Sequence, residues 1–131
     1  MVMKTVQELK QSNIKAFNQL RINYGVRRSV ARNEGYPDGE AEDFYHLEFP
    51  EFCPILGIPI DYNYNKKRTT GGSCFAPSFD KIYPNLGYVK GNVRVVSFLG
   101  NRIMSNINDQ PNYKDMLIHL AKNFIPQEII R

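Results

Sequence analysis

The chain is poor in the residues that hold soft metals. It has two cysteines, Cys53 and Cys74, and they form no CxxC pair. That excludes a four-cysteine zinc site within one chain. A mixed site would need His46 or His119, the only histidines, and their spacing does not support one. No structural zinc is expected. A disulfide is not expected in a reducing compartment, so two small, partly buried thiols are the simpler reading. Long apolar runs are missing too, and none approaches the roughly 18 residues of a membrane span. The opening residues Met1-Val2-Met3-Lys4-Thr5-Val6-Gln7-Glu8 turn polar too early for a secretory signal. These absences point to an intracellular, cytoplasmic protein with no membrane partner. There is also no internal repeat and no low-complexity tract.

Acidic residues are scarce outside one block. Residues 1–32 hold seven Lys/Arg and one Glu. Residues 33–61 hold eight Asp/Glu and no Lys/Arg. Residues 62–105 hold seven Lys/Arg and a single acid, Asp80. The last block, 106–131, is balanced, and the net charge is +4. Two basic blocks that met in space would form a surface for a polyanion. Solvated faces paired with the acidic block would use the same charges.

At 131 residues the chain is read as one domain, 1–131, able to bury a modest core without staples. Val6, Leu9, Phe17, Leu20 and Tyr24 recur at helical steps, broken only at Asn13. They predict an amphipathic helix over about residues 4–24, ended or kinked by Gly25. Residues 26–33 read as a second helical piece, giving a basic helical part over 1–34. Residues 33–43 read as a polar, turn-rich connector. Cys53 to Tyr62 is apolar but broken by prolines, so it reads as a short edge strand or an ordered loop. Residues 63–73 form a basic loop with Lys66, Lys67 and Arg68. Ser78–Ile82 is extended, 84–87 is a turn, and Asn92–Val96 alternates as a strand should. Ser97 then caps a helix to about Ser105. Tyr113, Met116, Leu117, Leu120 and Phe124 fit one face of a C-terminal helix over 109–125.

Within that strand, turn, strand, helix order stand Asp80, Asn92 and Asn101, at intervals of 12 and 9 residues. Carboxylate and amide oxygens suit Mg²⁺ or Mn²⁺, which keep waters and accept a phosphate oxygen as a further ligand. Asp80 and Asn101 are the candidate ligands of one divalent ion. Asn92 is better placed to tie the inter-strand loop to backbone groups. A metal ringed by Lys and Arg suits phosphodiester cleavage.

These segments resemble an HNH-type, or ββα-metal, endonuclease. Phe79-Asp80-Lys81-Ile82-Tyr83-Pro84, Gly91-Asn92-Val93 and Asn101-Arg102 look like its three parts. More closely, the chain is similar to small phage-encoded HNH-like proteins related to phage recombination endonucleases. In those, a Cys-Pro-x-Leu-Gly-Ile segment, here Cys53 to Ile58, precedes the first strand. The resemblance covers about residues 44–106. It implies an α+β fold with a hairpin-plus-helix metal core, flanked by N-terminal basic helices and a C-terminal helix. It implies a metal-dependent DNA endonuclease with Asp80 and Asn101 on the metal and Asn92 organising the loop.

One position departs from the pattern. Where HNH nucleases carry a general-base His after the Asp, this chain has Lys81. Lysine keeps its proton at neutral pH unless its environment strips it, so it suits phosphate binding better than proton abstraction. His46, ahead of Cys53, is the candidate replacement base. The expected phosphate contacts are Arg21, Arg27, Arg28 and Arg32, then Lys66, Lys67 and Arg68, then Lys90, Arg94 and Arg102. Tyr83 and Tyr88 could stack on a base, although turn tyrosines commonly just cover the core. The partner would be branched or duplex DNA, and cutting both strands suggests a homodimer through the N-terminal helix. Two other readings stand beside this one. The chain could be an HNH-like nucleic-acid-binding module without catalysis, as Lys81 suggests. It could instead bind a host protein through the acidic 33–51 stretch.

Overall fold

The computed structural model describes residues 3–63 and 74–106. The Lys66-Lys67-Arg68 loop, His119 and the expected C-terminal helix lie outside them. The described elements are β1 (Met3–Thr5), α1 (Val6–Ser12), α2 (Ile14–Asn33), β2 (Glu48–Pro50), β3 (Pro77–Lys81), β4 (Val93–Ser97) and α3 (Phe98–Asn106). Short 3-10 turns occupy Ala41–His46 and Pro84–Leu86. This is a small α+β fold with two antiparallel two-stranded sheets, β1–β2 and β3–β4. No described helix is long and apolar enough to cross a membrane.

The chain divides into two compact units. One comprises Met3–Phe49 and Phe79–Val95; the other includes Pro50–Ser78 and the chain from Val96.

In the first unit, α1 opens with a reciprocal cap. Thr5 Oγ1 accepts from Glu8 N at 3.2 Å, and Glu8 Oε1 accepts from Thr5 N at 3.1 Å. Those bonds hold the Glu8 carboxyl below its ordinary range. The helix then breaks at Asn13, not at Gly25. Asn13 leaves helical geometry and its Oδ1 accepts from Ala16 N at 3.1 Å, starting α2. Gly25 lies inside α2, where a glycine costs only about 1 kcal/mol against alanine and does not by itself stop a helix. Residues 26–33 therefore continue α2 rather than forming a separate piece.

Six aromatic rings dominate this unit's core. Tyr24 meets Phe44, Phe79 and Tyr88 at centroid distances of 5.7, 5.3 and 6.0 Å. Phe44 also meets Phe17 and Phe49 edge to face. Such tilted contacts place ring edges against ring faces. Burial pushes the Tyr24 phenol up to about 12. The connector ends in a capped turn. Asp43 Oδ2 accepts from Glu40 N at 2.9 Å and starts the Ala41–His46 turn, from which Phe44 reaches the core.

In the second unit, the apolar Cys53–Ile60 stretch is an ordered loop. Cys53 N donates to Ile58 O at 2.7 Å and Gly57 N to Cys53 O at 2.8 Å. Cys53, Ile55, Leu56, Ile58 and Ile60 are all buried. Ser97 closes β4 and caps α3, its Oγ accepting from Gly100 N at 3.1 Å. The buried Cys53 Sγ accepts from Ser97 N at 3.2 Å. A Cβ on Gly100 would come within 3.0 Å of that sulfur, so only glycine sits there without a shift.

Candidate metal and nucleic-acid site

The β3–β4 hairpin carries Asp80, Lys81, Lys90, Asn92 and Arg94. Its register follows from Ile82 N donating to Asn92 O at 2.8 Å, which sets Asp80 opposite Arg94. Phe79 and Val95, opposite each other in that register, are in the core. Asp80 is itself 7 % exposed, an unusual place for a carboxylate. Its charge is met across the ladder: Arg94 Nε donates to Asp80 Oδ2 at 2.9 Å.

Asn92 is the organiser of the loop between the strands. Its Oδ1 accepts from Tyr83 N at 2.9 Å, and its Nδ2 donates to Tyr83 O at 3.0 Å and to Gly87 O at 2.7 Å. The side chain is 3 % exposed, so each of these bonds stands in place of water. Gly87 is needed at the far end. Its φ is +71°, and a Cβ there would collide with the Pro37 carbonyl.

Lys81, the residue at the general-base position, lies over aromatic rings. Its Nζ is 4.4 Å from the Tyr36 centroid and 5.6 Å from that of Tyr88. This is the geometry of a cation held on π faces. Tyr88 is buried beneath it, which corrects the expectation that Tyr88 stacks on a base; burial also raises its phenol pKa. Tyr83 is exposed.

The remaining expected residues fall in several places. Arg21 and Arg27 are exposed on α2. Arg28 and Arg32 are committed within the fold. Arg28 Nε bonds Asp38 Oδ1 at 3.1 Å, its Nη2 bonds Gly39 O, and Arg32 Nη1 reaches Asp38 Oδ2 at 3.3 Å. His46 ends the Ala41–His46 turn and is exposed, and no hydrogen bond or ion pair joins it to Asp80 or Lys81. In the other unit, Asn101 lies on α3 and its Nδ2 donates to Ser78 Oγ at 2.7 Å. Arg102 is exposed, with its guanidinium 5.7 Å from the Phe98 ring.

Among the described residues no three His, Cys, Asp or Glu side chains gather as a metal-binding cluster. Mg²⁺ does not need one; one or two carboxylates with water and substrate oxygens serve. By donor chemistry each expected ligand taken singly suits such an ion. Asp80 offers a hard carboxylate whose bond to Arg94 uses only part of its acceptor capacity. Asn101, in the other unit, carries an amide oxygen. What the sequence did not signal is the strand partner of Asp80 or the seat of Lys81 on Tyr36. The first depends on register and the second on a connector of mixed composition. No family model matches this chain, and no match was found among curated proteins or among solved structures.

Proposed function

We propose that the chain is a metal-dependent endonuclease of the HNH type, acting on DNA phosphodiesters. The observation that carries this reading is Asn92. It makes three side-chain bonds to the loop of a strand–loop–strand–helix sequence, at the position where the resemblance expects a loop-organising Asn. In this reading Asp80 and Asn101 hold one Mg²⁺ or Mn²⁺. When bound, the ion would polarise the phosphate and stabilise the leaving oxygen.

The chain's own residues have these roles. Lys81 is a fixed cation and serves charge stabilisation rather than proton abstraction. Arg94 holds Asp80 in place and offers its remaining guanidinium donors to phosphate. Lys90, Arg102, Arg21 and Arg27 neutralise backbone charge without reading sequence. Arg28 and Arg32 act indirectly, by fixing Asp38. His46 is the imidazole in the unit that carries Asp80, and so the candidate acceptor of a proton from the attacking water. Ile22, Val26 and Val30 are exposed at four-residue steps along α2. That ridge suits packing against a second copy, and sedimentation analysis reads it.

The Asp80–Arg94 pair and the Lys81 clasp also favour a second reading, a nucleic-acid-binding module without catalysis. The two separate in one assay. Supercoiled plasmid and branched DNA are incubated with Mg²⁺, Mn²⁺ or EDTA, using wild type and Asp80→Ala. Metal-dependent cutting that the substitution abolishes is the expected result. Salt-sensitive binding with no cutting by wild type moves the assignment to the module.

A further inference from the structure

Residues 81–94 contain Lys81, Lys90 and Arg94 and no Asp or Glu. Within this cationic stretch the loop turns apolar side chains outward: Tyr83 is 66 % exposed, Leu86 50 % and Ile82 42 %. A turn tyrosine that only covered the core would be buried, as Tyr88 is at 6 %. The backbone beneath Tyr83 is fixed. Its N–H and its carbonyl both bond the Asn92 amide, and the same carbonyl accepts from Leu86 N at 3.0 Å. The ring is thus presented to solvent on an anchored backbone with only its own two torsions left.

We propose that this loop is a base-stacking platform. Tyr83 takes the face of an unpaired nucleobase while Lys90 and Arg94 meet the flanking phosphates. The ligand is therefore a nucleic acid with exposed bases rather than an intact duplex. Charge complementarity selects a polyanion, and an exposed ring on a fixed backbone loses little freedom on binding. Bases in a continuous duplex have both faces covered by their neighbours. A single strand, a bulge or a junction offers them free. This inference rests on the nucleic-acid reading above and adds the class of ligand to it.

The chain has no tryptophan, so a single reporter can be placed at the site. Tyr83→Trp is titrated in EDTA, where metal-dependent cutting is suppressed, with oligothymidylate and with a blunt hairpin duplex. Saturable quenching by the single strand, much weaker with the duplex, is expected. In parallel, anisotropy measures single-strand affinity for wild type, Tyr83→Ala and Tyr83→Phe, each checked by circular dichroism and thermal melting. Alanine should weaken binding about tenfold, and phenylalanine should stay near wild type. DNA binding that neither quenches the tryptophan nor responds to Tyr83→Ala overturns the platform and leaves the DNA reading standing. Equal quenching by duplex overturns the preference for unpaired bases. A change in sedimentation without a change in DNA affinity makes the patch a self-association surface and overturns the proposal. Quenching without cleavage in Mg²⁺ keeps the platform and removes the nuclease. Absence of any DNA binding removes both.

Discussion

Arg94 and Asp80 face each other across the β3–β4 ladder, with Nε donating to Oδ2 at 2.9 Å. The carboxylate is buried and the guanidinium is partly exposed, so the two ends of this pair are unequal. Removing the cation strands a buried charge. Removing the anion leaves a cation that can turn to solvent.

Arg94→Ala should therefore lower stability by about 1–2 kcal/mol, discounted for the arginine's exposure. If Asp80 is a metal ligand, the same substitution should tighten Mn²⁺ binding, because a competing cation has gone. Urea denaturation and calorimetric Mn²⁺ titration read the two effects separately. Loss of stability with no Mn²⁺ binding in either protein would mark the pair as structural.

Asn92→Ala removes both donors and the acceptor that close the loop. The Tyr83 N–H then loses its only observed bond inside a packed turn. The expected cost is about 2–4 kcal/mol. Asn92→Asp should do no better, since it sets a carboxylate against the Tyr83 and Gly87 carbonyls. Chemical denaturation of both variants is the check.

The helix junction gives a pair of opposite signs. A Cβ on Gly25 meets nothing within 4 Å. Gly25→Ala should stabilise by about 0.5–1 kcal/mol. Asn13→Ala removes the cap on Ala16 N and should cost about 1 kcal/mol. If Gly25 were the real break, its substitution would destabilise instead.

Tyr24 sets an alkaline limit. Its phenol is held neutral to about 12 in the fold, against an ordinary value of 10.0. A raised folded pKa means stability that is fully present below the unfolded value and lost as pH climbs through the folded one. Stability should therefore fall from pH 10 and level off above about 12. Denaturation midpoints across that range should fall less steeply for Tyr24→Phe than for wild type, since the variant lacks the Tyr24 phenol while Tyr62 and Tyr88, also raised by burial, still titrate.

The sequence made β3, β4 and α3 legible for clear reasons. β-branched alternation marks β4, and Ser97 stands where a cap is needed before Phe98. Asn92 makes the backbone bonds that its place in Gly91-Asn92-Val93 suggests. The same reasoning misjudged Gly25 because glycine's cost inside a helix is small. It passed over Asn13, whose side chain actively starts α2. β1 and β2 were invisible because three residues are too few to show a period. The connector is turn-rich as its residues suggest, but its anchor was not legible, because Phe44, which ties the Asp43-capped turn to the core, lies just beyond the polar stretch. Arg28 and Arg32 were expected to contact phosphate because nothing local reveals that Asp38 returns to meet them. Local pattern is visible in a sequence; pairing over distance is not.

The loop between β3 and β4 owes its shape to the Asn92 amide, to backbone bonds and to two glycines at positive φ, Gly87 and Gly91, while Tyr83 and Leu86 at its tip face solvent. Tyr83, Asn85 and Leu86 can change without reshaping their support. The hairpin is in that sense a fixed mount with an exchangeable front. Substitution at the tip should leave the fold intact and, if the tip meets a ligand, change only that contact.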